Sequence, residues 1–316
     1  MQAAIAEEMS GYLQSFIRSG ATAAALICAS LSFAEENGDN ATTSDNWLQS
    51  IFSSGEYVAE ETYVGAADVR RGDRSISFIE SDTILRLVFT PRVKVGVLRL
   101  GAEYERFSFD FPAQTPLPDA LQEASMVLGL DTQFSDSILA RFEIQPGLYG
   151  TEDLNFDSVN VPFVAGASYI YNPNLQFVVG VSVDVEREYP VIPVAGIRWK
   201  VAREWVINAV LPTPRIEFVA SKDATLYLGA NIKLTNFRVS DHFGDHHGNR
   251  RLNAAVLTYS EVRTGVGIDW KITPILILSA EAGYQPYRSF DFYRADVRFH
   301  EDGSAPYGMI SLHGAF

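Results

Sequence analysis

The sequence predicts an all-β protein, an antiparallel transmembrane β-barrel of about fourteen strands in a bacterial outer membrane. Three observations predict it. From Tyr57 onward apolar and polar residues alternate, segment after segment, with no helical periodicity. The long connections between those segments all fall on one side. The last segment, Pro306 to Phe316, alternates to the final residue and ends on an aromatic ring. A closing strand must pair with the first one so that no edge faces lipid.

Taken in order, residues 1–34 read as a secretory signal. Arg18 precedes the apolar run Gly20–Ala34, and Ser32-Phe-Ala34 sets small residues where a signal peptidase cuts. Glu7 and Glu8 do not suit the start of such a signal, and initiation at Met9 would leave them out. Cys28, the only cysteine, would leave with the signal, so no disulfide or metal-thiolate site is expected in the mature chain. Residues 35–56 are polar around Trp47 and read as a periplasmic tail or small plug. The barrel is assigned to residues 57–316.

Fourteen segments follow: 57–70, 75–90, 93–110, 122–134, 137–149, 161–172, 174–187, 191–201, 204–211, 214–220, 224–240, 255–272, 275–289 and 306–316. Most match the ~9–11 residues of a tilted membrane strand. One set of connections is tight throughout. The other holds 111–121, 150–160, 241–254 and 290–305, as well as three short ones. Short periplasmic turns and long outer loops give that asymmetry. Trp205–Val219 is split at Pro212-Thr-Pro214, because two prolines within three residues are hard to place in a paired ladder; one bent strand there would break the even count, and twelve strands is then the fallback.

The faces agree. Leu98, Leu100, Ala102 and Tyr104 oppose Arg99, Glu103 and Glu105, and Val179, Val181, Val183 and Val185 oppose Ser182, Asp184 and Glu186. A soluble sandwich also alternates. Lipid outside is favoured by Trp199, Trp205 and Trp270, which all fall near predicted periplasmic turns and read as an aromatic girdle. Charges of both signs in mid-strand suit a wet lumen. The net charge of −14, −13 without Glu7, Glu8 and Arg18, argues against nucleic acid as a partner.

The inward faces mark the candidate functional residues. Arg198, Lys200, Arg215 and Glu217 lead, followed by Lys233, Glu261, Arg263, Asp269 and Glu281. They form either a ladder of ion pairs that stiffens the barrel or a constriction that sorts solutes by charge. Arg215 and Glu217 are the first choice for a constriction because a proline-framed hairpin pins them. In the loop Asp241–Gly248, the cluster Asp241, His242, Asp245, His246 and His247 has the residue types of a transition-metal site but no ordered spacing. Ser311 and His313 lie two apart on one face, without an acidic third member within sequence reach.

The stretch Ile197–Tyr284 carries more specific phrasing: the hairpin Leu211-Pro-Thr-Pro-Arg-Ile-Glu-Phe218, the strand Tyr259-Ser-Glu-Val-Arg-Thr-Gly-Val-Gly-Ile-Asp-Trp-Lys271, and Glu281-Ala-Gly-Tyr284. It resembles an uncharacterised family of bacterial outer-membrane β-barrels, a domain of unknown function. The resemblance implies an outer-membrane barrel and no particular activity. The expected function is a channel or transporter for a small solute, without an enzymatic role or cofactor. The alternatives are a structural or interaction barrel with an occluded lumen, and a lipid-modifying enzyme. Expected partners are outer-membrane lipid and the barrel assembly machinery, which would read the strand that ends at Phe316.

Overall fold

The computed structural model describes residues 54–316 except 72–73, 113–114, 153 and 302. The signal, nearly all of the proposed tail or plug, and Trp47 therefore lie outside the described residues. Fourteen antiparallel strands form one closed barrel. They are β1 (Gly55–Arg71), β2 (Arg74–Phe89), β3 (Gly96–Phe109), β4 (Ala120–Ser135), β5 (Ile138–Ile144, resuming as Gly147–Thr151), β6 (Phe163–Asn172), β7 (Leu175–Val183), β8 (Val191–Lys200), β9 (Trp205–Val210), β10 (Arg215–Val219), β11 (Ala224–Arg238), β12 (Val256–Thr273), β13 (Leu276–Phe292) and β14 (Val297–Glu301, resuming as Ala305–Ala315). Closure is by β1 against β14, in register from Glu56↔Ala315 to Val64↔Tyr307. Pro212-Thr-Pro214 does separate two strands, so the count is fourteen and both ends of the barrel chain lie on the side of the short turns.

Burial is inverted relative to a soluble domain. Arg99, Lys233 and Arg288 are at most 1% exposed inside, while Leu85, Val179, Leu228, Val266 and Ile310 are 50–62% exposed outside. Large apolar side chains on the outside and sealed guanidinium groups within suit a wall in hydrocarbon.

The boundaries differ from the sequence reading most in four places, one being β7, which ends at Val183 and not at Arg187, so that residues 184–190 form its loop to β8. β1 begins at Gly55, two residues earlier, where Gly55 exchanges backbone hydrogen bonds with Phe316. β5 breaks at Gln145-Pro146, since proline cannot continue the ladder. The expected long loop 290–305 is not a loop. β13 runs to Phe292, a 3-10 turn spans Tyr293–Ala295, and β14 starts at Val297 with an irregularity before Ala305. Aromatic and β-branched residues there extend the hairpin beyond the membrane-facing part.

Strand lengths divide the wall. β11–β13 and β1–β4 are 14 to 18 residues long, and β6–β10 only 5 to 10. The tall strands therefore project outward past the short ones. They approach one another there, in a parallel contact of Arg238 on β11 with Gly150 on β5. This upper tier encloses an aromatic core that includes Phe78, Phe107, Phe109, Phe237, Tyr259 and Phe290. Ring pairs such as Phe109–Phe290, 5.2 Å between centroids, hold it together. Leu117 from the β3–β4 loop, and Phe243 and Leu252 from the β11–β12 loop, fold in from above. The outer end of the tall tier is capped by side chains.

Candidate functional site: the barrel interior

Beneath the aromatic cap, charged side chains meet across the lumen. Lys233 on β11 donates to Asp82 of β2 and Glu105 of β3, both at 2.6 Å. Arg263 on β12 reaches Asp82 at 3.0 Å, Glu80 at 3.1 Å and Glu261 at 2.9 Å. Arg288 on β13 pairs with Glu80, and the Tyr259 hydroxyl donates to Glu80 at 2.9 Å. Going round the wall, β1, β14 and β13 separate β2 from β12, so these bonds bridge the bore. Lys233 also lies over the Phe107 ring at 4.8 Å, and Arg288 over Phe78 at 4.1 Å, which seats the charged layer on the cap.

A second layer lies nearer the periplasm, on β1–β5. Arg86 pairs with Glu103 at 3.0 Å and Glu143 at 3.2 Å. Arg99 grips Glu56 with both terminal nitrogens, at 3.1 and 3.0 Å, and Glu143 through Nε at 3.0 Å. Arg141 pairs with Asp131. Charges withdrawn from water this far need paired, forked geometry, and the layer supplies it.

The short wall is different. Its inward positions on β6–β8 include Gly166, Gly180 and Gly196, all half-buried, with Ser168, Val178, Ser182 and Val194. No charged side chain faces inward at mid-height there. Charge returns towards the periplasm, at Arg198, Lys200, Arg215 and Glu217, and at the outer end, at the buried Asp184 and Arg187.

All nine lumen residues read from the sequence point inward, but they do not form one group. Lys233, Glu261 and Arg263 belong to the cross-lumen cluster. Arg215 lies over the Tyr227 ring at 4.3 Å and 3.9 Å from Asp269. Glu217, 6% exposed, is its neighbour on the strand face. Asp269 accepts from Ser279 at 2.8 Å, and Glu281 accepts from the Tyr307 hydroxyl. Arg198 and Lys200, half-buried, mark the periplasmic end of β8. The Gly-x-Gly of β12 now has a reason. A Cβ on Gly267 would lie 2.1 Å from the Tyr227 hydroxyl and one on Gly265 2.5 Å from that of Tyr307, so both glycines seat tyrosines that hold the charges.

Sequence reasoning missed Glu80, Asp82, Arg86, Arg99, Glu103, Glu105, Glu143 and Arg288 as site residues. The signal was present. Glu80, Asp82 and Arg86 share a parity, as do Arg99, Glu103 and Glu105, and the second set alternates with Leu98, Leu100, Ala102 and Tyr104.

Trp199, Trp205 and Trp270 point outward, 44 to 56% exposed, at the feet of β8, β9 and β12. Phe316 packs edge-on against Phe89 with centroids 6.3 Å apart. In the outer loop, Asp245 is 3.5 Å from His242 and 3.2 Å from Arg250, while His247 Nδ1 lies 2.7 Å from the Phe243 carbonyl. Asp241 and His246 are exposed, and no three such side chains among the described residues are placed to share a metal ion. Ser311 and His313 face inward and are at most 1% exposed. Ser279 stands between His313, at 3.5 Å, and Asp269, at 2.8 Å, so serine rather than histidine occupies the middle position. A triad needs the base oriented by the acid.

Comparison with solved structures returns outer-membrane barrels at very low identity. The COG4313 outer membrane channel from Pseudomonas putida F1 is 8% identical, with TM-score 0.47, over 83% of this chain and 95% of that one. The P. putida toluene transporter TodX is 8% identical, with TM-score 0.43, over 83% and 90%. The NanC porin is 9% identical, with TM-score 0.38, over 82% and 98%. No curated protein sequence matches this one. The family model described as Domain of unknown function (DUF6268) matches residues 51–302, well beyond the C-terminal third that carries the recognisable motifs. The chain belongs to that family.

Proposed function

We propose that the barrel is an outer-membrane channel for a small solute, with its path along the short wall. The observation that carries this is the asymmetry of the bore. Across most of the lumen, long charged side chains lock together, whereas the inward face of β6–β8 carries Gly166, Gly180 and Gly196, half-buried and uncharged at mid-height. Arg198, Lys200, Arg215 and Glu217 would meet the solute at the periplasmic end, where they select by charge. The protein acts without catalysis in this reading. Its partners are outer-membrane lipid and the barrel assembly machinery, which engages the strand ending at Phe316.

Planar-bilayer recording of the refolded protein tests the proposal. Discrete openings are expected from a barrel that migrates faster on a gel unheated than boiled. A barrel folded by that criterion yet electrically silent would overturn the channel reading. It would select the structural barrel, which the ion pairs bridging the lumen favour.

A further inference from the structure

The aromatic cap closes the outer mouth, so a path along the short wall needs another exit. β9 has six residues and β10 five. Six residues at about 3.3 Å each and a tilt of about 40° rise roughly 15 Å, against an apolar band of about 25 Å. Trp205, at the foot of β9, belongs to the periplasmic girdle. The tip of the hairpin, Leu211 to Pro214, therefore stops inside the hydrocarbon.

Taller strands stand on either side of it. β8 last pairs with β9 at Gly196↔Val210. β11 makes its last bond to the hairpin from the Ile232 N–H to the Pro212 carbonyl, at 3.0 Å. Above these points the edges 191–195 and 233–237 share no ladder pairing among the described residues. Unpaired strand edges are not tolerated against lipid.

Two devices deal with the gap. Pro190, Pro193, Pro212 and Pro214 rim it, and proline has no N–H to leave unsatisfied. Arg187, 5% exposed, spans it: its guanidinium donates to the Ser182 hydroxyl at 2.8 Å and the Leu234 carbonyl at 3.4 Å. Arg187 belongs to the β7–β8 loop, residues 184–190. That loop is tied to the tall tier through side chains: Asp184 accepts from Asn236 at 2.6 Å, and Glu186 from Arg238 at 3.0 Å. Outside the gap, Val185, Tyr189 and Val191 are 58 to 72% exposed, and just inside it Val178 packs on Val210. An apolar exterior meets an apolar patch of lumen through an opening bridged only by side chains, Arg187 together with the Asp184–Asn236 and Glu186–Arg238 ties.

We infer that this gap is a lateral window from the lumen to the outer leaflet, latched by the 184–190 loop with Arg187 as its bar, and that the cargo is a membrane-soluble apolar or amphipathic molecule. The inference rests on the channel reading and names its substrate class. A ladder seam would have no reason to be interrupted at this depth, and polar side-chain ties can release and reform without unzipping a sheet.

The test uses the full chain with Cys28→Ser and Ile192→Cys, labelled with bimane on the lumen side of the window. The protein is placed in phosphatidylcholine vesicles carrying a doxyl group on the acyl chain. Iodide probes the aqueous lumen, and the doxyl lipid probes access from the bilayer. Iodide quenching is expected in every folded variant. Doxyl quenching should rise at least twofold in Arg187→Ala. Iodide quenching with doxyl quenching unchanged would overturn the window and leave the channel standing. A label that iodide never reaches would remove the channel reading, and the window with it. Asn236→Ala, which removes the Asp184 tie to β11 while keeping those of Glu186 to Arg238 and Arg187 to Leu234, is measured alongside. It should also raise doxyl quenching, and it decides the matter if Arg187→Ala fails to fold.

Discussion

The tall wall and the short wall solve the same problem in opposite ways. Both must present apolar side chains to lipid and satisfy every backbone group between strands. The tall wall does so with strands longer than the bilayer needs and fills the space behind them with ion pairs and stacked rings. The short wall uses shorter strands, two of which stop short of the outer edge of the apolar band, carries glycine and small side chains inward, and leaves a seam closed by side chains alone. Bulk and charge inside a barrel wall are thus set strand by strand. A barrel can be rigid on one side and passable on the other without any change in strand number.

The comparison is broken most severely on the tall side. Lys233→Met would leave Asp82 and Glu105 facing Glu261 with their shared cation gone. Removing one partner of a buried ion cluster costs about 3–5 kcal/mol. Urea unfolding and the gel shift on heating should both show the loss, and wild-type stability would mean that the cluster is solvated. Gly267→Val comes next. The added side chain must displace Tyr227, on whose ring Arg215 rests. Overpacking of this kind costs about 1–3 kcal/mol, and the same unfolding measurement should register it.

The remaining predictions sharpen the contrast. Replacing Arg215 and Glu217 together with alanine should leave a heat-modifiable barrel and raise single-channel conductance, because both narrow the bore where the short wall regains charge. Unchanged conductance in a folded double variant would move the path away from β10. The smallest effect is expected in the outer loop. His242→Ala with His246→Ala should alter stability by no more than about 0.5 kcal/mol. Calorimetric titration with Zn²⁺ should then give the same heat before and after the change, and a saturable heat lost in the variant would restore the loop as a metal site.

Much of this was legible in the chain. Period-2 alternation assigns each residue to one face, so the inward face of the nine named charged residues and the outward face of Trp199, Trp205 and Trp270 follow from parity. The asymmetry of the connections set the topology, and Pro212-Thr-Pro214 set the strand count, because two prolines within three residues are hard to place in a paired ladder. The pairing of β1 with β14 follows because a barrel has no free edge.

What parity cannot supply is the partner across the lumen. Lys233 meets Asp82 from 151 residues away, and only the closure of the barrel, with its particular stagger, brings those depths together. The same holds for Arg187. In the sequence it is the last residue of the seventh segment, 174–187; in the fold it lies in the loop after β7 and crosses a seam between β8 and β11, strands separated by a hairpin that stops too soon. Strand faces follow from local sterics and the pattern of apolar residues. Which side chains meet inside, and where the wall is left thin, follow from strand lengths and register summed around the whole barrel, and only the tertiary structure decides them.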